Sequence, residues 1–170
     1  MIGYIDEFRI TKAARYTSNF TPQGFAFANL WKDSNFSSVA LLLHCDGTNG
    51  GTSFPDSSKN AYSVTPNSTA QVSTTQSKWN GASLYCGATS PSGYLSLGSA
   101  PDVSSGDYTV EGWFYFTSNS IGYQPLIARF ENVSDTRASF LLYTETSNVL
   151  TFVCTTSVGS WTTSVPSSTV

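Results

Sequence analysis

The chain has 170 residues, 39% hydrophobic and 14% aromatic, enough for one sizeable core. Only 11% are charged, the net charge is -3 and the eight Lys and Arg are scattered, so no basic stripe is present to grip a phosphate backbone and no nucleic-acid partner is expected. No run approaches the roughly 18 consecutive apolar residues of a membrane span, and the start lacks the basic-then-apolar pattern of a secretion signal, so membrane insertion is not expected either.

Residues 4–10 alternate, with Tyr4, Asp6, Phe8 and Ile10 toward one side and Ile5, Glu7 and Arg9 toward the other, the period of two that marks a strand. On that pattern Asp6 shares a face with Phe8 and Ile10, where a carboxylate must be hydrogen-bonded, paired or metal-bound. Residues 21–29 carry Pro22 and Gly24 without a sustained period, and residues 31–38 are polar around isolated aromatics; residues 28–38 are expected to be a linker. Val39–Leu43 is a short apolar run before Asp46-Gly47, expected to be a strand buried on both sides. Short strands are expected at residues 61–64 and 70–73.

Residues 108–116 give the strongest strand signal, with Val110, Gly112, Phe114 and Phe116 on one face and Glu111, Trp113 and Tyr115 on the other. Aromatics on both faces predict a central strand. Residues 125–130, 139–144, 149–155 and 160–165 continue at hairpin spacing, with turn residues at 119–122 and 146–148. No segment shows a helical stripe. The pattern predicts an all-β chain built as two antiparallel sheets packed face to face.

The chemistry-bearing residues are sparse. His44, the single histidine, lies beside Cys45 and Asp46, but strand neighbours point to opposite faces, so a strand-end histidine bonded to a loop is expected rather than a triad member. Glu111 is a lone acid on its strand, and Asp6-Glu7 lacks the flanking acids of a paired-carboxylate glycosidase; no catalytic residue is assigned and no enzyme is expected. Calcium needs several hard oxygen ligands, for which Asp6, Asp46, Asp56 and Asn60 are the candidates; the competing expectation has Asp6 and Asp46 capping turns or pairing with Arg9. Trp161, Tyr123, Trp79 and Tyr143 have turn or loop residues near them and are candidate sugar platforms, whereas Trp113 is expected in the core. Cys45, Cys86 and Cys154 are an odd count that cannot all pair within the chain, and their spacing excludes a zinc finger or ribbon.

Several motifs together carry a resemblance. Gly3-Tyr4-Ile5-Asp6-Glu7-Phe8-Arg9-Ile10, followed by the Ala14-Arg15-Tyr16-Thr17 tail that runs to Pro22, is similar to the closing segment of a laminin G-like, concanavalin A-like jelly-roll repeat, particularly the tandem copies in bacteriophage proteins. Leu43-His44-Cys45-Asp46-Gly47, the Asp56-Ser57-Ser58-Lys59-Asn60 turn, Lys78-Trp79-Asn80-Gly81, Gly93-Tyr94-Leu95 and Gly106-Asp107-Tyr108-Thr109-Val110-Glu111-Gly112-Trp113 resemble the opening two thirds of the next copy. The resemblance implies an antiparallel two-sheet jelly-roll sandwich, C-terminally incomplete. Residues 1–27 would be the closing strand and tail of one repeat, 28–38 a linker and 39–170 the following domain. Opening and closing strands are neighbours in that family, so residues 4–10 are expected to pair with Val39–Leu43.

The implied function is a non-catalytic recognition or adhesion module that binds glycan or protein, in a tandem-repeat protein of a phage virion or tail. A structural virion spacer associating through sheet edges, and a β-sandwich glycoside hydrolase, are the alternatives. The implied location is a virion or extracellular. Several members of the wider superfamily bind calcium near these loops. Cys45 and Cys86 stand where the family usually has Phe on neighbouring strands, which leaves a bridge or two buried thiols.

Overall fold

Runs of alternating and β-branched residues set the elements, as strand sterics require. The computed structural model describes residues 1–28, 32–87, 92–99, 101–103, 105–118, 123–129, 140–145, 149–157 and 160–166. Its strands are β1 (Gly3–Thr11), β2 (Val39–Leu43), β3 (Val64–Asn67), β4 (Gln71–Ser73), β5 (Ser83–Tyr85), β6 (Tyr94–Leu97), β7 (Thr109–Phe116), β8 (Tyr123–Arg129), β9 (Phe140–Glu145), β10 (Leu150–Ser157) and β11 (Ser160–Pro166). Among the described residues the helical content is one 3-10 turn, Phe36–Ser38, and no helix is long and apolar enough to cross a membrane. The chain is all-β. It divides into two compact units, residues 3–116, and residues 1–2 with 117–170.

In the first unit β1 is the central strand. β7 runs antiparallel along one side of it, from Gly3↔Phe116 to Thr11↔Thr109. The other side is shared by β5, at Tyr4↔Tyr85 and Ile5↔Leu84, and by β2, from Phe8↔Leu43 to Thr11↔Val39. β4 then pairs with β5. The expected pairing of residues 4–10 with Val39–Leu43 is thus present.

Where β1 changes partner it bulges. Asp6 opposes Trp113 and Arg9 opposes Glu111, so three steps along β1 match two along β7. Glu7 takes up the extra residue with φ 51°, a left-handed conformation uncommon for a non-glycine. The bulge reverses the alternation: Tyr4, Asp6, Arg9 and Thr11 share the face of Glu111, Trp113 and Tyr115, and Phe8 lies beside Gly112 and Phe114 on the other. The expectation that Asp6 shares a face with Phe8 and Ile10 is therefore corrected, because a one-residue insertion inverts every side chain beyond it.

The face carrying Arg9 is covered at that end by residues 12–28 and 32–38. Phe27 and Phe36 bury with Val39 and Leu42, and the Arg9 guanidinium lies 3.9 Å from the centre of the Phe27 ring. Arg9 is 1% exposed and sends Nε and Nη2 to Glu111 Oε2, at 3.0 and 2.8 Å, and Nη1 to Asp33 Oδ2 at 3.0 Å. Arg15 bonds the other Asp33 oxygen at 2.7 Å, and the Tyr16 hydroxyl donates to Glu111 Oε1. The segment expected to be a linker is held down by this buried ionic network.

Two margins of the sheet are capped. Asp56 Oδ1 accepts from Leu42 N, Ser57 N donates to Leu42 O, and Ser58 Oγ and Asn60 Nδ2 donate to Ala40 O, so the Asp56–Asn60 turn satisfies the outer edge of β2. Gly50 N and Gly51 O do the same for Val72 of β4. β7 pairs with β1 alone among the described residues, so the expected central strand lies at a margin. β3 and β6 form a separate two-stranded ladder, and the strand expected at 61–64 forms instead at Val64–Asn67.

The second unit is an antiparallel meander in the order β11-β10-β9-β8. Ile2 ties to it: its N–H donates to Gln124 Oε1 at 2.9 Å, while Gln124 Nε2 donates to Ser118 O. Gln124 is 2% exposed, and these bonds account for a buried amide.

Candidate functional site

Register alone assembles a row of side chains that are far apart in sequence. Gln71 opposes Tyr85, Tyr85 opposes Tyr4, and Tyr4 opposes Tyr115, so β4, β5, β1 and β7 each place one of these residues side by side on the same face. The Tyr4 ring lies 5.1 Å from Tyr85 and 6.2 Å from Tyr115, both tilted. At the strand spacing of about 4.8 Å the row spans roughly 14 Å. Tyr115 is 53% exposed, Tyr4 and Tyr85 are half-buried and Gln71 is exposed. Among the described residues, this is the end of the face that residues 12–28 and 32–38 do not cover. Gly3 begins it with φ 155° and packs so close to the Tyr115 carbonyl that no Cβ fits, which lets β1 and β7 meet there.

Clefts open on both sides of the row. One, of about 330 Å³, is lined by Thr52, Ser68, Thr69, Gln71, Tyr85 and Gly87. The other, of about 240 Å³, is lined by Tyr4, Asp6, Gln76, Lys78, Trp113 and Tyr115, among others. Trp113, expected in the core, is half-buried and lines this second cleft. The Lys78 ammonium lies 4.5 Å above its ring, and Trp79 meets it edge-on at 6.3 Å.

Asp6 and Glu7, side by side at the bulge, do different work. Glu7 is fully buried, accepting from Phe27 N at 2.9 Å and bonding His44 Nδ1 at 2.9 Å, so it pins two segments to β1. Hydrogen bonding to Glu7 raises the His44 pKa against the opposing effect of burial. Asp6 is 3% exposed; its Oδ2 accepts from Lys78 N at 2.6 Å and Trp79 N at 2.9 Å, while its Oδ1 has no hydrogen-bond partner. Burial pushes Asp6 up to about 6; the two amides oppose the shift, and the charges of Glu7 and Asp46 add to it. Asp46 Oδ2 accepts from Asn80 Nδ2 at 3.0 Å, and burial raises its pKa too.

The four candidate calcium ligands do not assemble into one cage. Asp56 spends both oxygens on Leu42 N, Ser58 N, Ser58 Oγ and Tyr62 N, and Asn60 donates its amide to Ala40. Asp6 and Asp46 hold backbone and Asn80, as turn caps do. Among the described residues no group of three or more His, Cys, Asp or Glu is placed to hold a metal ion. Cys45 and Cys86 are free, buried thiols, and burial raises both their pKa values; the side chain of Cys154 lies outside the described residues. Glu111 is engaged by Arg9 and Tyr16.

Of the candidate sugar platforms, Tyr123 and Tyr143 lie 4.6 Å apart, tilted at 37°, on β8 and β9 in the second unit. Trp79 lies in the first unit beside Trp113, and the side chain of Trp161 is outside the described residues. Sequence reasoning missed Tyr4, Tyr85, Tyr115 and Gln71, since only strand register unites them. No family model, curated protein or solved structure matches this chain.

Proposed function

We propose that the chain is a non-catalytic recognition module whose open aromatic face binds glycan. The observation that carries this is the Gln71-Tyr85-Tyr4-Tyr115 row across four adjacent strands, flanked by clefts that carry Ser, Thr, Gln and Asp side chains among apolar ones. Tyrosine rings offer apolar surfaces for the C–H faces of pyranoses, and amides and hydroxyls beside them fix orientation. A span of roughly 14 Å suits several linked sugars rather than one. The motif resemblance to laminin G-like jelly-roll repeats of phage proteins supports the same reading, with the two-sheet sandwich, the tandem-repeat setting and the virion location that it implies.

Calorimetric titration of the whole chain with neutral hexasaccharides of glucose, mannose and galactose tests this. One of them is expected to saturate, and Tyr115→Ala, a change at a half-exposed ring, is expected to weaken binding at least about tenfold with little change in Tm. Tyr123→Ala, in the other unit, should leave affinity unchanged. Absence of saturable binding, or equal binding by Tyr115→Ala, contradicts the proposal.

A second reading is a structural module that associates through sheet edges. It is favoured by β7, which pairs on one side only among the described residues while the margins of β2 and β4 are capped. That reading requires a mass from light scattering that rises with concentration; a constant monomer mass contradicts it.

A further inference from the structure

The second cleft contains a group that the fold leaves unsatisfied. Asp6 is 3% exposed and lines the cleft, its Oδ2 is committed to the amides of Lys78 and Trp79, and its Oδ1 is buried with no partner. A buried carboxylate oxygen without a donor costs stability, and the chain carries it beside the aromatic row. An ionised carboxylate only accepts, so the missing group must donate.

We propose that Asp6 is the specificity-determining acceptor of the glycan site: a neutral sugar docks against Tyr4, Trp113 and Tyr115 and donates one hydroxyl to Asp6 Oδ1, and an anionic substituent at that position is rejected. This rests on the glycan-binding reading above and names the sugar class. Docking on the Trp113 ring requires the exposed Lys78 side chain to swing off it. The backbone amide of Lys78 stays on Oδ2, so the floor of the cleft is preserved.

A pH dependence follows. The titratable and charged groups facing Asp6 are Glu7 on β1, His44, Cys45 and Asp46 after β2, and Lys78 before β5; β7 presents the uncharged Trp113. With burial holding Asp6 near 6, a hydroxyl that bonds the ionised form lowers that value. Affinity therefore rises with pH through about 6 and levels off above it.

The test uses the whole chain, the neutral hexasaccharide that binds, and hexagalacturonate, the carboxylated counterpart of the galactose hexasaccharide. Wild-type affinity is expected to fall about tenfold between roughly pH 7.5 and pH 5, with hexagalacturonate the weaker ligand throughout. Asp6→Asn keeps a carbonyl for the Lys78 and Trp79 amides but turns a donor toward the cleft, so it should bind at least about tenfold more weakly at the higher pH and lose the pH dependence. Asp6→Asn binding like wild type while Tyr115→Ala fails overturns the role of Asp6 and leaves glycan binding intact. A wild-type affinity that is flat with pH, or preference for hexagalacturonate, also overturns it without needing any variant. No binding of any hexasaccharide by the wild type overturns both.

Discussion

At the residue scale, Asp6 and Glu7 are adjacent carboxylates with opposite accounts. Glu7 is fully buried and both oxygens are engaged, so its left-handed conformation is held by Phe27 and His44. Asp6 is buried with one oxygen unsatisfied, and a raised carboxylate pKa means that its charged form disfavours folding at neutral pH. Asp6→Asn is accordingly expected to be more stable than wild type by on the order of 2 kcal/mol near pH 7.5, measured by urea unfolding, with the gap closing below about pH 4. A variant less stable than wild type at neutral pH would show that the carboxylate holds the Lys78-Trp79 segment more strongly than burial opposes it. The need for a partner at Asp6 was read from a face shared with Phe8 and Ile10, which the bulge abolishes; the carboxylate is buried instead on the face of Trp113. The identity of that partner was not, because Lys78 and Trp79 reach it through backbone amides, which carry no residue signature.

At the scale of elements, β1 organises the first unit. It was readable as a strand from its alternation, and its pairing with β2 was expected from motif resemblance alone. The bulge was not readable: an extra residue leaves the period of two intact on either side, and Glu7 is not a glycine that would flag φ above zero. That single residue decides that Arg9, not Phe8, joins Glu111 and Trp113. The resulting network of Arg9, Glu111, Asp33, Arg15 and Tyr16 clamps residues 12–28 and 32–38 over one end of the sheet and leaves the tyrosine row open at the other. Removing Glu111 would strip two bonds from a guanidinium that is 1% exposed. Glu111→Ala is expected to destabilise the chain by about 3 kcal/mol, read as a lower urea midpoint at unchanged slope. A cost below about 1 kcal/mol would mean that Asp33 alone satisfies Arg9.

At the scale of the molecule, the titrating groups set a common direction. His44, raised by its bond to Glu7, and Asp6 and Asp46, raised by burial, each hold a proton more tightly folded than unfolded. Their contributions are present below the ordinary values of about 3.8 for Asp and about 6.5 for His, and are lost as pH rises through the folded values. Asp33 runs the other way: burial pushes it up, but Arg15 and the Asn35 amide hold it below its ordinary value, so its contribution is lost only in acid below 3.8. Tm is therefore expected to be higher near pH 5 than near pH 8, and a Tm that climbs across that window contradicts this account. The all-β class was legible from composition and spacing. The tyrosine row was not, because its four residues come from four segments that only the β4-β5-β1-β7 register brings into line. The most direct measurement is an NMR titration of the labelled chain with neutral hexasaccharides. Saturable shifts clustered at Tyr4, Gln71, Tyr85, Trp113 and Tyr115 are expected; shifts confined to Tyr123 and Tyr143, or none at any concentration, would contradict glycan binding on this face.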